Sequence, residues 1–381
     1  MPQKLFNLPA EEPFIFLETA GRDRENKKSY LFNGFNDILI FNSGDSPDLF
    51  FKKIEAYLRK GYWLAGYFSY EFGYWLEPAF KDFRKDFGFP LAWIGVCKEP
   101  EISKDEGRRT RDEEELVSAQ IKNIKSNVSK KEYCDNIARI KDYLKQGLTY
   151  QVNYTFKLKF DFSGDALKLY RDLKRKQPTS YCAFIDTGKN KILSFSPELF
   201  FRTAKNKIIT RPMKGTLGLK DSKRRLSLDP KTKAENIMIV DLLRNDLGRI
   251  AKKGTVAPDN LFKVEAYPTL YQMTSTISAG LKKNTAIRDI FTALFPCGSV
   301  TGAPKIKTME LIRRLEKEPR NIYCGAIGYI SPHGESCFSV AIRTIAIYRG
   351  KAEMGVGSGI VYDSVPAAEY DEAMLKAKFL T

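Results

Sequence analysis

A single histidine, His333, in 381 residues removes whole classes of chemistry at once. One imidazole cannot furnish a histidine-rich zinc site, and most Ser-His-Asp and Cys-His arrangements are excluded with it. The six cysteines, Cys97, Cys134, Cys182, Cys297, Cys324 and Cys337, contain no C-x-x-C pair. That leaves no zinc ribbon, ferredoxin or thioredoxin motif, and scattered thiols without a secretory segment predict a reducing compartment, the cytoplasm. Neither G-x-S-x-G nor G-x-x-x-x-G-K-[ST] occurs, so α/β-hydrolase triads and P-loop NTPases drop out. No long apolar run is present, and Glu11 and Glu12 precede a short apolar stretch where a signal peptide would carry basic residues; neither export nor a membrane span is expected.

The composition that remains is that of a folded protein, with 43% hydrophobic, 13% aromatic and 29% charged residues. Sixty-three Lys and Arg against 46 Asp and Glu leave a formal charge of +17. Such an excess fits a solvated surface, a pocket for a small anion or steering of acidic partners. No RRM, KH or zinc-finger signature accompanies it, so nucleic-acid binding is not expected. The run GYWLAGYFSYEFGYWL reads as a buried strand leading into a turn and short helix. The charged stretch 98–116 reads as a linker or surface loop, dividing an N-terminal part, 1–115, from a catalytic region, 116–381. Beyond it, Tyr133, Ile137, Ile140, Tyr143 and Leu144 recur at helical intervals and stop at Gly147. ILSFSPELFFRTAKNKIITRPMKGT predicts two strands around a Lys-Asn turn, with Lys214 in the loop that follows. Ile237, Val240, Leu243, Leu247 and Ile250 predict a helix beginning near Glu235. Strands then alternate with helices in an order that suggests α+β rather than a Rossmann alternation.

Three features could carry chemistry. Glu369, Glu372 and Lys376 share one face of the last helix at i, i+3 and i+7, which is equally a common solvated stripe. Glu372 and Glu235 meeting across a pocket would suit Mg²⁺, which takes one or two carboxylates and fills its shell from water and an anionic substrate. The glycines of GVGSGIV fail the dinucleotide spacing; they fit a plain strand, a bulge, or a backbone that offers N–H groups to an anion. Lys214 in RPMKGT is a loop lysine by pattern, and a nucleophilic role requires that it first lose its proton, at a cost of roughly 4–5 kcal/mol at pH 7.

Taken together, SFSPELF, RPMKGT, ENIMIVDLLRNDLGRI, FPCGSVTGAPK, YCGAIGYISPHGESCFSVAIR, GVGSGIVYDSVPAAEYDE and Lys376 resemble the chorismate-utilising enzymes, in that family's order over residues 150–378. The N-terminal third resembles it more weakly, through FIFLE and AGYFSYE. The resemblance implies one α+β unit of two packed, mostly antiparallel β-sheets with helices outside. It implies that Glu235 and Glu372 bind Mg²⁺, and that Ser299, Tyr323, Arg343, Gly357, Gly359 and Lys376 surround chorismate. Arg343 is suited to clamp a carboxylate bidentately. Glu198 of SPELF resembles the family's acid/base glutamate near the departing hydroxyl.

Within the family, RP-x-K-G-T resembles the aminodeoxychorismate synthases, in which the lysine corresponding to Lys214 is taken to attack the ring before ammonia adds. Gln151 of QVNYT stands where the water-using members carry a basic lysine. Gln272 of YQMTS stands where a family histidine is associated, in anthranilate synthases, with the loss of pyruvate. Gln151 points to ammonia rather than water as the final nucleophile, and RPMKGT with Gln272 favours an enzyme of the para-aminobenzoate and folate branch over anthranilate synthase component I. A non-catalytic chorismate- or amino-acid-binding regulator is the alternative of another class. The resemblance further implies a separate glutamine amidotransferase subunit as the ammonia source, because a chain with one histidine cannot hold the Cys–His pair of a glutaminase; no fused lyase is expected. Some relatives carry a tryptophan pocket near an L-E motif like Leu17-Glu18, and the sequence does not decide whether one exists here.

Overall fold

A computed structural model of the chain describes residues 12–21, 26, 28–103, 118–218, 221–266 and 270–380. Most of the predicted linker therefore lies outside the described residues; its first part adds the short strand Glu101–Ser103 to a sheet edge.

Two sheets dominate. From edge to edge the first runs Gly302–Ala303, Gln151–Ser163, Lys351–Ile360, Thr344–Tyr348, Lys191–Ser196, Tyr181–Asp186, Phe14–Glu18, Ser29–Phe32, Glu101–Ser103, with Gln120–Ser126 also paired to Gln151–Ser163. The second runs Met213–Gly218, Leu270–Gly280, Lys207–Arg211, Leu199–Ala204, Ser336–Val340, Ala326–Ile330, Trp63–Phe68, Ala92–Cys97, Asp37–Phe41, with Ala257–Ala266 also paired to Leu270–Gly280. The pairings are antiparallel throughout the described strands, for example Gly359 opposite Asn153 and Lys214 opposite Met273. Strands from the N-terminal part enter both sheets.

Period-two alternation builds the layers. In Phe14–Glu18, Phe14 and Phe16 face helices, whereas Ile15 and Leu17 join Tyr30, Tyr67, Trp93, Ile192 and Ile327 in the core between the sheets. Helices Lys130–Lys145, Ala166–Lys176, Lys305–Leu315 and Pro366–Leu375 contribute to the core on the outer face of the first sheet. Pro47–Arg59, Pro230–Gly248 and Ile287–Leu294 cover the second. This is the expected α+β architecture, with helices outside two packed sheets.

Local signals explain most boundaries. Ser129 caps Lys130–Lys145 by accepting from Glu132 N, and Gly147 follows at φ +71°, a left-handed position glycine occupies without cost. The helix expected from Glu235 begins five residues earlier, at Pro230, because Asp229 caps it and proline is preformed for the first turn. Its buried stripe is Asn236, Ile239, Val240, Leu243 and Leu247, and Ile237 points outward, 46% exposed. The segment SCFSVAIRTIAIY is two strands in different sheets, and the chain crosses between them at Arg343, φ +51°.

Candidate functional site

The edge of the first sheet meets the edge of the second at one end of the molecule, and most of the predicted residues converge there. Lys214 is not in a loop. It lies on Met213–Gly218, opposite Met273, because the strand resumes after Pro212. Gly215 explains the motif: it sits at φ +72°, a side chain there would reach within 2.2 Å of Thr232 Cγ2, and the register slips between Lys214 and Thr216. Such a bulge re-aims the neighbouring side chain.

Across the gap, Lys351–Ile360 is a regular strand paired with Gln151–Ser163 over ten residues, so GVGSGIV is neither bulge nor loop. Its glycines mark close approach. A side chain at Gly355 would strike the Tyr323 ring at 2.1 Å, and one at Gly359 would come within 2.6 Å of Gln151 Nε2 and 2.8 Å of Lys214 Nζ. Gly359, Gln151 and Lys214 thus share one point in space. Lys376, the C-cap of Pro366–Leu375, donates to Gly357 O at 2.9 Å and pairs with Glu372 at 2.9 Å.

Glu198 is buried, 3% exposed, and accepts from Ser299 Oγ at 2.5 Å. Burial pushes its carboxyl up to about 7, while the Ser299 hydroxyl and the Lys214 ammonium pull the other way. Burial likewise holds the Lys214 amine below its ordinary value; Lys376 acts in the same direction, and Glu235, Glu198 and Glu372 oppose it. Enclosure would raise Glu372, but Lys376 and Lys214 leave it below the usual carboxylate range.

The polar lining is unsatisfied. Both amide atoms of the fully buried Gln151, Oε1 of Gln272 and Nδ2 of Asn236 have no hydrogen-bond partner. Buried polar groups are normally paired, so the orphaned Gln151 amide beside the Lys214 amine is what a polar ligand would complete. Among the described residues no group of three or more His, Cys, Asp and Glu could hold a metal. Glu235 and Glu372, both within the electrostatic reach of Lys214, offer only hard oxygen donors. That donor set fits a Mg²⁺ that keeps water and takes an anionic ligand.

Arg343 stands at the sheet crossover, its carbonyl accepting from Phe195 N at 3.1 Å. Gln272 lies on the neighbouring strand, opposite Thr216. The sequence reading missed Asn236, whose Oδ1 accepts from Ser275 Oγ at 2.5 Å, and Cys297, whose Sγ lies 3.2 Å from Ser299 Oγ. Asn236 had a signal, a polar residue on the apolar stripe of its helix; Cys297 had none. Beside Leu17–Glu18 the described space is about 30 Å³, room for a water or two. Glu18 is engaged there by Lys174 Nζ at 2.7 Å and Tyr170 OH at 2.9 Å. A roomier cleft of about 990 Å³ lies at the other end of strands Gln151–Ser163 and Lys351–Ile360, around Asp161, Lys351 and Glu353, and includes none of the predicted site residues.

The sequence profile of the chorismate binding enzymes matches residues 13–381. The chain belongs to that family. This chorismate binding enzyme is 41% identical over 259 residues to aminodeoxychorismate synthase component 1 of Klebsiella aerogenes, covering 66% of this chain and 57% of that protein. It is 38% identical over 268 residues to anthranilate synthase component 1 of Aquifex aeolicus, covering 68% and 54%. The matches thus span little more than half the length of these curated relatives. Its fold is that of anthranilate synthase component I from Streptococcus pneumoniae, with TM-score 0.82, 23% identity and coverage of 100% of this chain and 97% of that one. Among the described residues no helix is long and apolar enough to cross a membrane.

Proposed function

We propose that this chorismate binding enzyme is the large subunit of an aminodeoxychorismate synthase. It would convert chorismate and ammonia to 4-amino-4-deoxychorismate through a covalent bond to Lys214, for para-aminobenzoate and folate synthesis. The observation that carries the reading is the pairing of Lys214, its amine held low, with Glu198, its carboxyl raised to about 7. Burial thus favours the uncharged form of each group, the amine as a nucleophile and the carboxyl as an acid. The identity to aminodeoxychorismate synthase components supports it.

The neutral Lys214 amine attacks ring carbon C2. The C2–N bond forms, the ring double bonds shift and the C4–O bond breaks, while Glu198 gives its proton so that the hydroxyl departs as water. Ammonia then attacks C4, the double bonds shift back, and the C2–N bond breaks to return the free amine. The added nitrogen gives its surplus proton to the Glu198 carboxylate, so the acid is restored. Splitting one difficult displacement into two allylic ones is a standard gain of covalent catalysis. Gln151 and Gln272 hold and orient; neither exchanges a proton near neutral pH as an imidazole or amine would. Arg343, Tyr323, Ser299, Lys376 and the backbone at Gly357 and Gly359 would bind the dianionic substrate. Glu235 and Glu372 would hold Mg²⁺, which supplies positive charge for the ring carboxylate. Ammonia would come from glutamine through a separate amidotransferase subunit, and the reaction belongs to the cytoplasm.

The test is mass spectrometry of the product from purified protein, chorismate, Mg²⁺ and an ammonium salt. An aminated product that keeps its enolpyruvyl group supports the reading and is lost in Lys214→Ala. Anthranilate with free pyruvate would instead make this an anthranilate synthase component. Glu235→Gln and Glu372→Gln should each raise the Mg²⁺ concentration needed for half-maximal chorismate binding by about tenfold or more, the scale of losing one ligand charge.

A further inference from the structure

Arg320 lies behind the site, buried at 3% exposure, and its guanidinium donates four hydrogen bonds and stacks on an aromatic ring. Nε and Nη2 donate to the two Glu316 carboxylate oxygens at 2.9 and 2.7 Å. Nη1 donates to Val300 O at 2.7 Å, and Nη2 donates to Asn153 O at 2.6 Å. The plane lies 4.4 Å over the Tyr70 ring. Glu316 extends the set by accepting from Thr155 N at 2.9 Å and Thr155 Oγ1 at 2.8 Å. The arginine's own backbone is pinned as well, because Arg320 N donates to Glu71 Oε1 at 2.6 Å.

Three of these end points adjoin site residues. Val300 follows Ser299, which holds Glu198 at 2.5 Å. Asn153 and Thr155 are the register partners of Gly359 and Gly357. Tyr323 N donates to Arg320 O at 3.1 Å, and the Tyr323 ring covers Gly355. A buried ion pair is weak evidence for stability, since apolar residues of equal volume often serve as well. Two backbone carbonyls from separate elements, a carboxylate and an aromatic face need instead the rigid planar fork that arginine alone provides. On the basis of the function proposed above, we propose that Arg320, with Glu316, is a positioning residue: it sets Ser299, and through it Glu198, against the strands that carry Gly357 and Gly359.

The test reads Glu198 without relying on turnover. Infrared titration of the full-length protein isolates the Glu198 carboxyl as the band removed by Glu198→Gln. The groups facing that carboxyl are Lys214 on its strand, and Cys297, Ser299 and Cys324. Ser299→Ala should move the midpoint up by about one pH unit, the worth of one hydrogen bond to a charged group. Arg320→Lys keeps the charge but loses the fork, and should move the midpoint in the same direction. The double variant should move it no further than Ser299→Ala alone. Glu316→Gln provides the same comparison should Arg320→Lys not fold. An unchanged midpoint in the folded variant, or shifts that add in full, overturns the positioning role. Failure of the wild-type protein to aminate chorismate overturns the functional reading and leaves this titration still decisive for Arg320.

Discussion

At the scale of single residues the chemistry turns on burial acting oppositely on two groups of opposite charge type. Burial disfavours the charged form of each, lifting Glu198 to about 7 and lowering Lys214. The acid limb of kcat/KM should therefore follow loss of the proton from Lys214, with activity rising as pH rises. The opposing limb follows loss of the proton from Glu198, with activity falling as pH rises. Glu198→Gln should lower kcat by about 10²–10⁴-fold and abolish the falling limb in a pH–rate profile, leaving the rising one. Of these two residues the sequence pointed to both, through SPELF and RPMKGT, but only by resemblance. Neither pattern nor composition distinguishes a nucleophilic lysine from a solvated one. The distinction is made by desolvation, which depends on strands far apart in the chain.

At the scale of elements, the glycines of Lys351–Ile360 separate two kinds of constraint. At Gly359 a methyl group would meet the ends of two flexible side chains, Gln151 and Lys214. Gly359→Ala should therefore keep the fold and its melting temperature within a few degrees, yet lower turnover by about 100-fold, because the amine proposed to react is displaced. At Gly357 the methyl would meet the backbone oxygen of Tyr154 at 2.4 Å. Backbone in a sheet cannot yield so easily, so Gly357→Ala should lower the melting temperature as well; paired thermal melts and initial rates separate the two cases. The strand itself was legible as one of three options for GVGSGIV. The helix Pro230–Gly248 was legible in kind but not in phase, because Ile237 supplies an apolar residue off the buried stripe and Asn236 a polar one on it. Two motif residues proved to serve each other rather than the site: Lys305 of GAPK pairs with Asp246 of LLRND at 2.6 Å, both nearly buried.

At the scale of the whole molecule, polar clusters tie the N-terminal part to the rest behind the site. Glu71, fully enclosed, accepts from Arg320 N at 2.6 Å and Asn321 N at 3.0 Å, and burial pushes its carboxyl up to about 7 despite those bonds. A carboxyl raised in the folded state stabilises the fold most when protonated. Its contribution is complete below the unfolded value near 4.5 and is lost as pH rises to about 7. The loss amounts to about 3 kcal/mol. Glu71→Gln should flatten the fall in stability between these pH values in urea titrations, whereas the wild-type chain loses stability across them. By itself the sequence determined the α+β class, the family and the residue types of the site, because alternation, caps and short motifs are written in adjacent residues. Only the tertiary structure decided that Lys214 rides on a bulged strand, that Gln151 and Lys214 meet at Gly359, and that Arg320 joins Glu316, Val300 and Asn153 behind the site. Those facts arise where two sheet edges approach, and they depend on burial and distance between residues that no local pattern brings together.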